Sequence, residues 1–258
     1  MRRSVLLAVS ASAAVHMRCL TLLALASADR LLEATIREAA MSSPQWWEAH
    51  HVLAKLKPGT SWFGPIGRAI ARDIAKRHAR SCAKGDAVVL GTGYSKTPYW
   101  LARTGAFRRV YGVDSSPSAI LAMRRYSKAH DHGGAWGLVR YVRADVTQPG
   151  PLRNASLVLD EGVLDVLQAG PGIDATSHKA AKQAMEEYLE RAAGLVMPGG
   201  LLIVVGYAGE PAVVNSTLDE LSCWTLDSGF LGLDALAAGP RRACSPWGPG
   251  AYVLKKPV

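Results

Sequence analysis

A glycine turn and three strand-end carboxylates in this chain have the types and spacing to hold a nucleoside. Gly91-Thr92-Gly93 follows the apolar run Ala87-Val88-Val89-Leu90 directly. Glycines placed there let the backbone turn tightly and approach a ligand closely. Asp114 lies 21 residues beyond Gly93, at the end of a second apolar run, Arg109 to Val113. A carboxylate at about that distance is placed to accept hydrogen bonds from ribose hydroxyls. Asp145 and Asp160 follow two further apolar runs, Leu138 to Val142 and Ser156 to Leu159. A strand-terminal aspartate by itself often does no more than cap the next helix. The conjunction of all four at these spacings carries the reading.

Such a rim requires strands that all end on one side of a sheet. The chain alternates short apolar runs with segments of helical period. Ile66, Ile70 and Ile74 recur every fourth residue, with Arg68, Arg72 and Lys76 on another face, and Gly85 is expected to end that helix. Ser116-Pro117 opens a helix after Asp114, with proline near its first turn. A long helix is expected over about Ser177 to Leu195, broken by Pro198-Gly199-Gly200, with a fifth strand from Leu201 to Val205. Cys223 to Leu226 and Ala251 to Leu254 read as two last strands paired antiparallel. This pattern predicts an α/β fold: a Rossmann-like, seven-stranded, mostly parallel sheet with an antiparallel C-terminal strand and helices on both faces. Ligands bind such sheets at the carboxyl ends of the strands.

A dinucleotide-binding fingerprint would need a third glycine three residues after Gly93, where Lys96 stands. That glycine permits close packing beside a pyrophosphate, so its absence favours a cofactor without one. The motifs, taken in order, resemble those of class I methyltransferases: Gly91-Thr92-Gly93, then Tyr111 to Pro117, then Arg143-Ala144-Asp145. The stretch Leu157-Val158-Leu159-Asp160-Glu161-Gly162-Val163-Leu164-Asp165 is more specific. It resembles the Leu-Asp-Lys-Gly-Thr-Leu/Trp-Asp signature of the methyltransferase-like protein lysine methyltransferases. Trp46-Trp47-Glu48 and Ser61-Trp62-Phe63-Gly64 are similar to that group's N-terminal tryptophan motifs.

The resemblance implies S-adenosylmethionine as cofactor and a protein lysine as methyl acceptor, with residues 41–258 as the methyltransferase domain. Gly91 and Gly93 would approach the methionine moiety and Asp114 would bind the ribose hydroxyls, with Thr92 and Ser115 as further cofactor-binding residues. Asp145 would face the adenine amino group, and Trp62 would help close the pocket. Asp160 would sit beside the sulfonium and the incoming nucleophile, with Asp165 as the second candidate catalytic carboxylate. Two positions depart from the pattern. Val89 stands where an acidic residue usually precedes the glycines, and Glu161 stands in place of the signature lysine. An acid at 161 would add negative charge for a basic acceptor. The departures also leave open a small-molecule or RNA acceptor, or a cofactor-binding protein without activity.

The bulk of the chain is consistent with one globular domain and an added leader. It has 258 residues, 49% hydrophobic and 20% charged, with no apolar run of the roughly 18–20 residues a spanning helix needs. The net charge of +9 lies wholly in the first 110 residues. It reads as a leader plus a solvated helix face, or as a patch for an acidic partner or nucleic acid. Nucleic-acid methylation is the weaker reading, because Asp160-Glu161-Gly162-Val163 replaces the Asn/Asp-Pro-Pro-Tyr/Phe motif of amino-base methyltransferases. Cys19, Cys82, Cys223 and Cys244 form neither a metal-binding nor a disulfide pattern. Residues 1–40 read as a targeting segment or disordered leader, Arg-bearing and free of acid until Asp29. Mitochondrial import is the expectation; plastid, secretory and cytoplasmic locations are the alternatives.

Overall fold

The computed structural model describes residues 44–53, 55–61, 66–78, 84–148, 152–168, 175–206, 225–226 and 250–256. The leader 1–40, the four cysteines and Trp62 lie outside the described residues.

β1 is Gly85–Leu90, β2 Phe107–Asp114, β3 Val139–Arg143, β4 Ala155–Glu161 and β5 Val196–Gly206. These five are parallel, in the spatial order β3-β2-β1-β4-β5. The central strands β1 and β4 form where apolar residues run together, as burial on both faces demands, while the edge strand β3 alternates apolar and exposed residues. Beyond β5 the backbone continues the sheet antiparallel through β7 (Gly250–Lys255) and the two-residue β6 (Thr225–Leu226). Order reverses between β1 and β4, and this switch point is where an open α/β sheet opens a crevice.

Helices cover both faces. α1 is Pro44–Leu53 and α2 is Ile66–Asp73, continued by a wider turn over Ile74–His78. α3 is Thr97–Ala102, α4 Pro117–His130, α5 Val163–Gln168 and α6 Ala175–Leu195. One core packs Ile70 and Ile74, Leu101, and Ile120 and Met123 against Val89, Leu157 and Leu159. The other packs Leu164, Tyr188 and Leu189 against Val88, Leu90, Val158 and Leu202. Alternate residues of β1 and β4 thus feed opposite layers, as a period of two requires. No helix of the described residues is long and apolar enough to cross a membrane.

Two local expectations are corrected. Gly85 opens β1 rather than ending a helix. Pro198-Gly199-Gly200 lies inside β5 rather than before it. Ala155 pairs with Val196 and Leu157 with Leu201, so these residues are extra length bulged out of the ladder. Gly199 takes φ 74° there, and its amide donates to the Lys256 carbonyl at 3.1 Å.

Candidate active site

The carboxyl ends of β1, β2 and β4 bring the predicted residues to one rim. Gly91 and Gly93 take φ of 69° and 46°, in the left-handed region. A Cβ on Gly91 would lie 2.6 Å from Val163 Cγ2. Only glycine fits that turn against the start of α5. The turn is tied to β2 twice. Gly93 N–H donates to Asp114 Oδ2 at 2.7 Å, and Thr92 N–H donates to the Val113 carbonyl at 3.0 Å. Asp114 Oδ1 accepts from Ser116 N–H at 2.9 Å. The expected spacing of 21 residues therefore closes a loop held by one carboxylate. Burial pushes Asp114 above the usual carboxylate range, against the pull of the Ser116 and Gly93 amides. Each of its oxygens keeps a second lone pair, which is what a ribose diol would use.

The buried hydroxyl of Thr92 has no hydrogen-bond partner among the described residues. Buried polar groups are seldom left unpaired, so an orphan beside a glycine turn fits a polar group of a ligand. Ser115 is half-buried at the bend after β2. Asp145 is exposed on the outer rim, and its Oδ1 accepts from the Thr147 amide at 2.9 Å and hydroxyl at 2.6 Å. These residues fit a nucleoside cofactor with a polar tail.

The β4 carboxylates do something other than expected. Asp160 is fully buried. Its Oδ1 accepts from Val163 N–H at 2.7 Å and its Oδ2 from Leu164 N–H at 3.0 Å. It caps α5, as strand-end aspartates often do, and faces the layer of α6 rather than an open cleft. Burial, with a smaller push from Asp165, raises its carboxyl to about 7 despite those amides. Asp165 is half-buried in the first turn of α5.

Glu161 is buried on the opposite face of the same strand. Its Oε1 accepts from the hydroxyls of Ser61 at 2.9 Å and Thr97 at 3.1 Å, while Oε2 has no hydrogen-bond partner among the described residues. Ser95 and Thr97 share a further hydroxyl contact of 2.8 Å. Burial pushes Glu161 up to about 7. The charge expected at the acceptor is instead turned inward, onto a hydroxyl cluster that ties the segment before Trp62 to the start of α3. Val89 is wholly inside the core, where no ligand reaches it.

Two contributors on α1, Glu48 and His51, stand outside the expected site residues. Glu48 accepts from Ser116 Oγ at 2.6 Å, Ser118 Oγ at 3.0 Å and Ser118 N–H at 3.2 Å. It thus docks α1 on the N-terminus of α4. His51 is buried, and its Nδ1 has no hydrogen-bond partner among the described residues. Its ring lies 5.2 Å from that of Tyr94 and 3.5 Å from where a Gly93 Cβ would be. Burial holds its pKa below the ordinary histidine value, partly offset by Asp114, so the ring is neutral. For Glu48 the sequence signal was the Trp46-Trp47-Glu48 motif, and for His51 it was the aromatic density of residues 44–64, which shows contact surface and not its target.

The fold that carries this arrangement is shared with solved proteins. The CcbJ methyltransferase from Streptomyces caelestis superposes with a TM-score of 0.54 at 16% identity, over 74% of this chain and 95% of that one. Magnesium protoporphyrin IX methyltransferase from Synechocystis PCC 6803, with S-adenosylmethionine bound, superposes with a TM-score of 0.54 at 14% identity, over 86% and 96%. The chain has the class I methyltransferase fold. In sequence it is similar to EEF1A lysine methyltransferase 4 of Mus musculus, 26% identical over 220 residues, covering 83% of this chain and 82% of that protein. No family model matches the chain. The chain resembles the class I methyltransferases, and the protein lysine methyltransferases among them. The cofactor bound in the solved relative is the one the motifs imply.

Proposed function

We propose that this protein is an S-adenosylmethionine-dependent methyltransferase whose acceptor is a lysine of a protein substrate. The observation that carries the cofactor half is the Gly91-Thr92-Gly93 turn held on Asp114 at the sheet's switch point, with the Thr92 hydroxyl left for a ligand. The acceptor half rests on the Asp160-to-Asp165 stretch and on the likeness to the mouse lysine methyltransferase.

Bound S-adenosylmethionine supplies an electrophilic methyl group on its sulfonium. The protein's task is alignment of acceptor and donor. Gly91 and Gly93 would give the cofactor's methionine end close access to the backbone, Asp114 and Ser115 would hold the ribose, and Asp145 would face the adenine edge. His51 lies against the turn side, and the resemblance gives Trp62 a part in closing the pocket. A lysine amine is mostly protonated at neutral pH, from a reference pKa of about 10.4, and must shed that proton before it attacks. We assign the acceptor-side carboxylate to Asp165 and give Asp160 the task of holding the β4–α5 turn that presents it.

Isothermal titration with S-adenosylhomocysteine tests the cofactor half, and Asp114→Ala should weaken binding by about tenfold or more, from the 1.5–3 kcal/mol of a charged hydrogen bond. Equal affinity of variant and wild type would remove Asp114 from the ribose. Mass spectrometry of lysate proteins incubated with the enzyme and labelled cofactor tests the acceptor. Methyl groups appearing only on RNA or a metabolite would overturn the lysine assignment. For residues 1–40 we propose mitochondrial import, which a reporter fusion that stays cytosolic would refute.

A further inference from the structure

The basic face of α2 has no part in the site above, yet it is organised. Arg68 and Arg72 of α2 meet Trp100 and Arg103 at the end of α3 around an open depression of about 210 Å³. The Arg68 guanidinium lies 5.1 Å from the Trp100 ring centre. That of Arg103 lies 5.6 Å from Trp100 and 5.8 Å from Tyr99. All three arginines are exposed, and among the described residues no carboxylate pairs with any of them. The depression lies at the end of α3 away from the glycine turn, about 9 Å along the helix at 1.5 Å per residue. Its lining includes none of the glycine turn, Asp114 or the β4 carboxylates.

We propose that this depression is a docking site for a carboxylate-rich segment of the protein substrate. The inference rests on the protein-acceptor reading. Stacking on an aromatic ring holds a guanidinium flat while its N–H edges stay free. Those edges form forks that match carboxylates two bonds at a time. Arginines fixed in advance lose less freedom on binding than mobile ones, so the cluster is ready for an anion. Single-stranded nucleic acid fits less well. Its sequence-independent affinity draws on bases stacking on open aromatic faces, and here guanidinia already occupy the indole. A site remote from the methyl-transfer rim would select acidic partners without disturbing the chemistry.

Fluorescence anisotropy on the full chain tests this, with fluorescein-labelled hexaglutamate and hexauridylate as probes. Hexaglutamate should bind, weaken with added salt, and lose at least tenfold in affinity in Arg68→Glu/Arg103→Glu. The milder Arg68→Gln/Arg103→Gln should show a smaller loss in the same direction. S-adenosylhomocysteine affinity, measured in parallel, should be the same in all three proteins and shows that each is folded. Undiminished hexaglutamate binding by both variants would overturn the proposal. So would tighter binding of hexauridylate, lost in the same variants, which marks a nucleic-acid surface. If S-adenosylhomocysteine binds none of the proteins while hexaglutamate behaves as stated, the methyltransferase reading fails and the acidic-ligand site stands.

Discussion

Gly91 is the residue with least freedom to change. Its φ of 69° and the 2.6 Å approach of Val163 each forbid a side chain. Left-handed backbone costs an L-residue about 1–2 kcal/mol, and forced overpacking typically adds 1–3 kcal/mol. Gly91→Ala should therefore lower the unfolding free energy by about 2–4 kcal/mol in chemical denaturation and abolish detectable cofactor binding. The two β4 aspartates separate by what they hold. Asp160→Ala removes a buried cap and should cost about 1–2 kcal/mol of stability. Asp165→Asn keeps its shape and should reduce methyl transfer more than it reduces S-adenosylhomocysteine affinity. Steady-state kinetics beside titration would show this, and unchanged turnover would take Asp165 out of the mechanism.

The element of most consequence is α1, which docks on the rim through Glu48 and His51. Glu48 gathers three donors from Ser116 and Ser118, next to the Asp114 that pins the glycine turn. Burial pushes the Glu48 carboxyl up, but the hydrogen bonds from Ser116 and Ser118 outweigh it and leave it below the usual value. That contact thus favours the folded chain above the ordinary glutamate range and is lost as pH falls through its depressed pKa. Glu48→Ala should free α1. Backbone hydrogen exchange in residues 44–53 should speed up, and cofactor affinity should drop because His51 leaves its place beside Gly93. Unaltered exchange with reduced affinity would mean that Glu48 acts on the ligand directly.

At the scale of the whole molecule, two carboxyls buried on opposite faces of one strand give stability an unusual pH dependence. Asp160 and Glu161 are pushed up to about 7 by burial, from ordinary values of 3.8 and 4.5. Between the ordinary and raised values the folded chain holds more protons than the unfolded one. Unfolding free energy should therefore fall as pH rises from about 4 to about 7, and then level off. Thermal melts at pH 5.5 and pH 8 should show the higher midpoint at pH 5.5. Glu161→Gln should narrow the gap by raising the midpoint at pH 8. A midpoint that climbs with pH would mean that both carboxylates are better solvated than their burial indicates. Removal of residues 1–40 should leave both the melt and the cofactor affinity unchanged, since the described strands and helices all begin after them.

The alternation of apolar runs and helical periods was enough to identify the parallel core. Strand faces and helix stripes are written locally, at spacings of two and near four residues. The glycine turn and Asp114 were legible for the same reason, because chain topology fixes their separation at about one strand–helix–strand unit. Where a carboxylate points is not a local property. Asp160 and Glu161 are neighbours in sequence and look equally available. The pleat sends one into the α5–α6 layer as a cap and the other into a hydroxyl cluster with Ser61 and Thr97. Nor could the sequence place His51 beside Gly93, or Arg68 beside Trp100. Those contacts join segments far apart along the chain, and packing of helices on a common sheet is what brings them within reach.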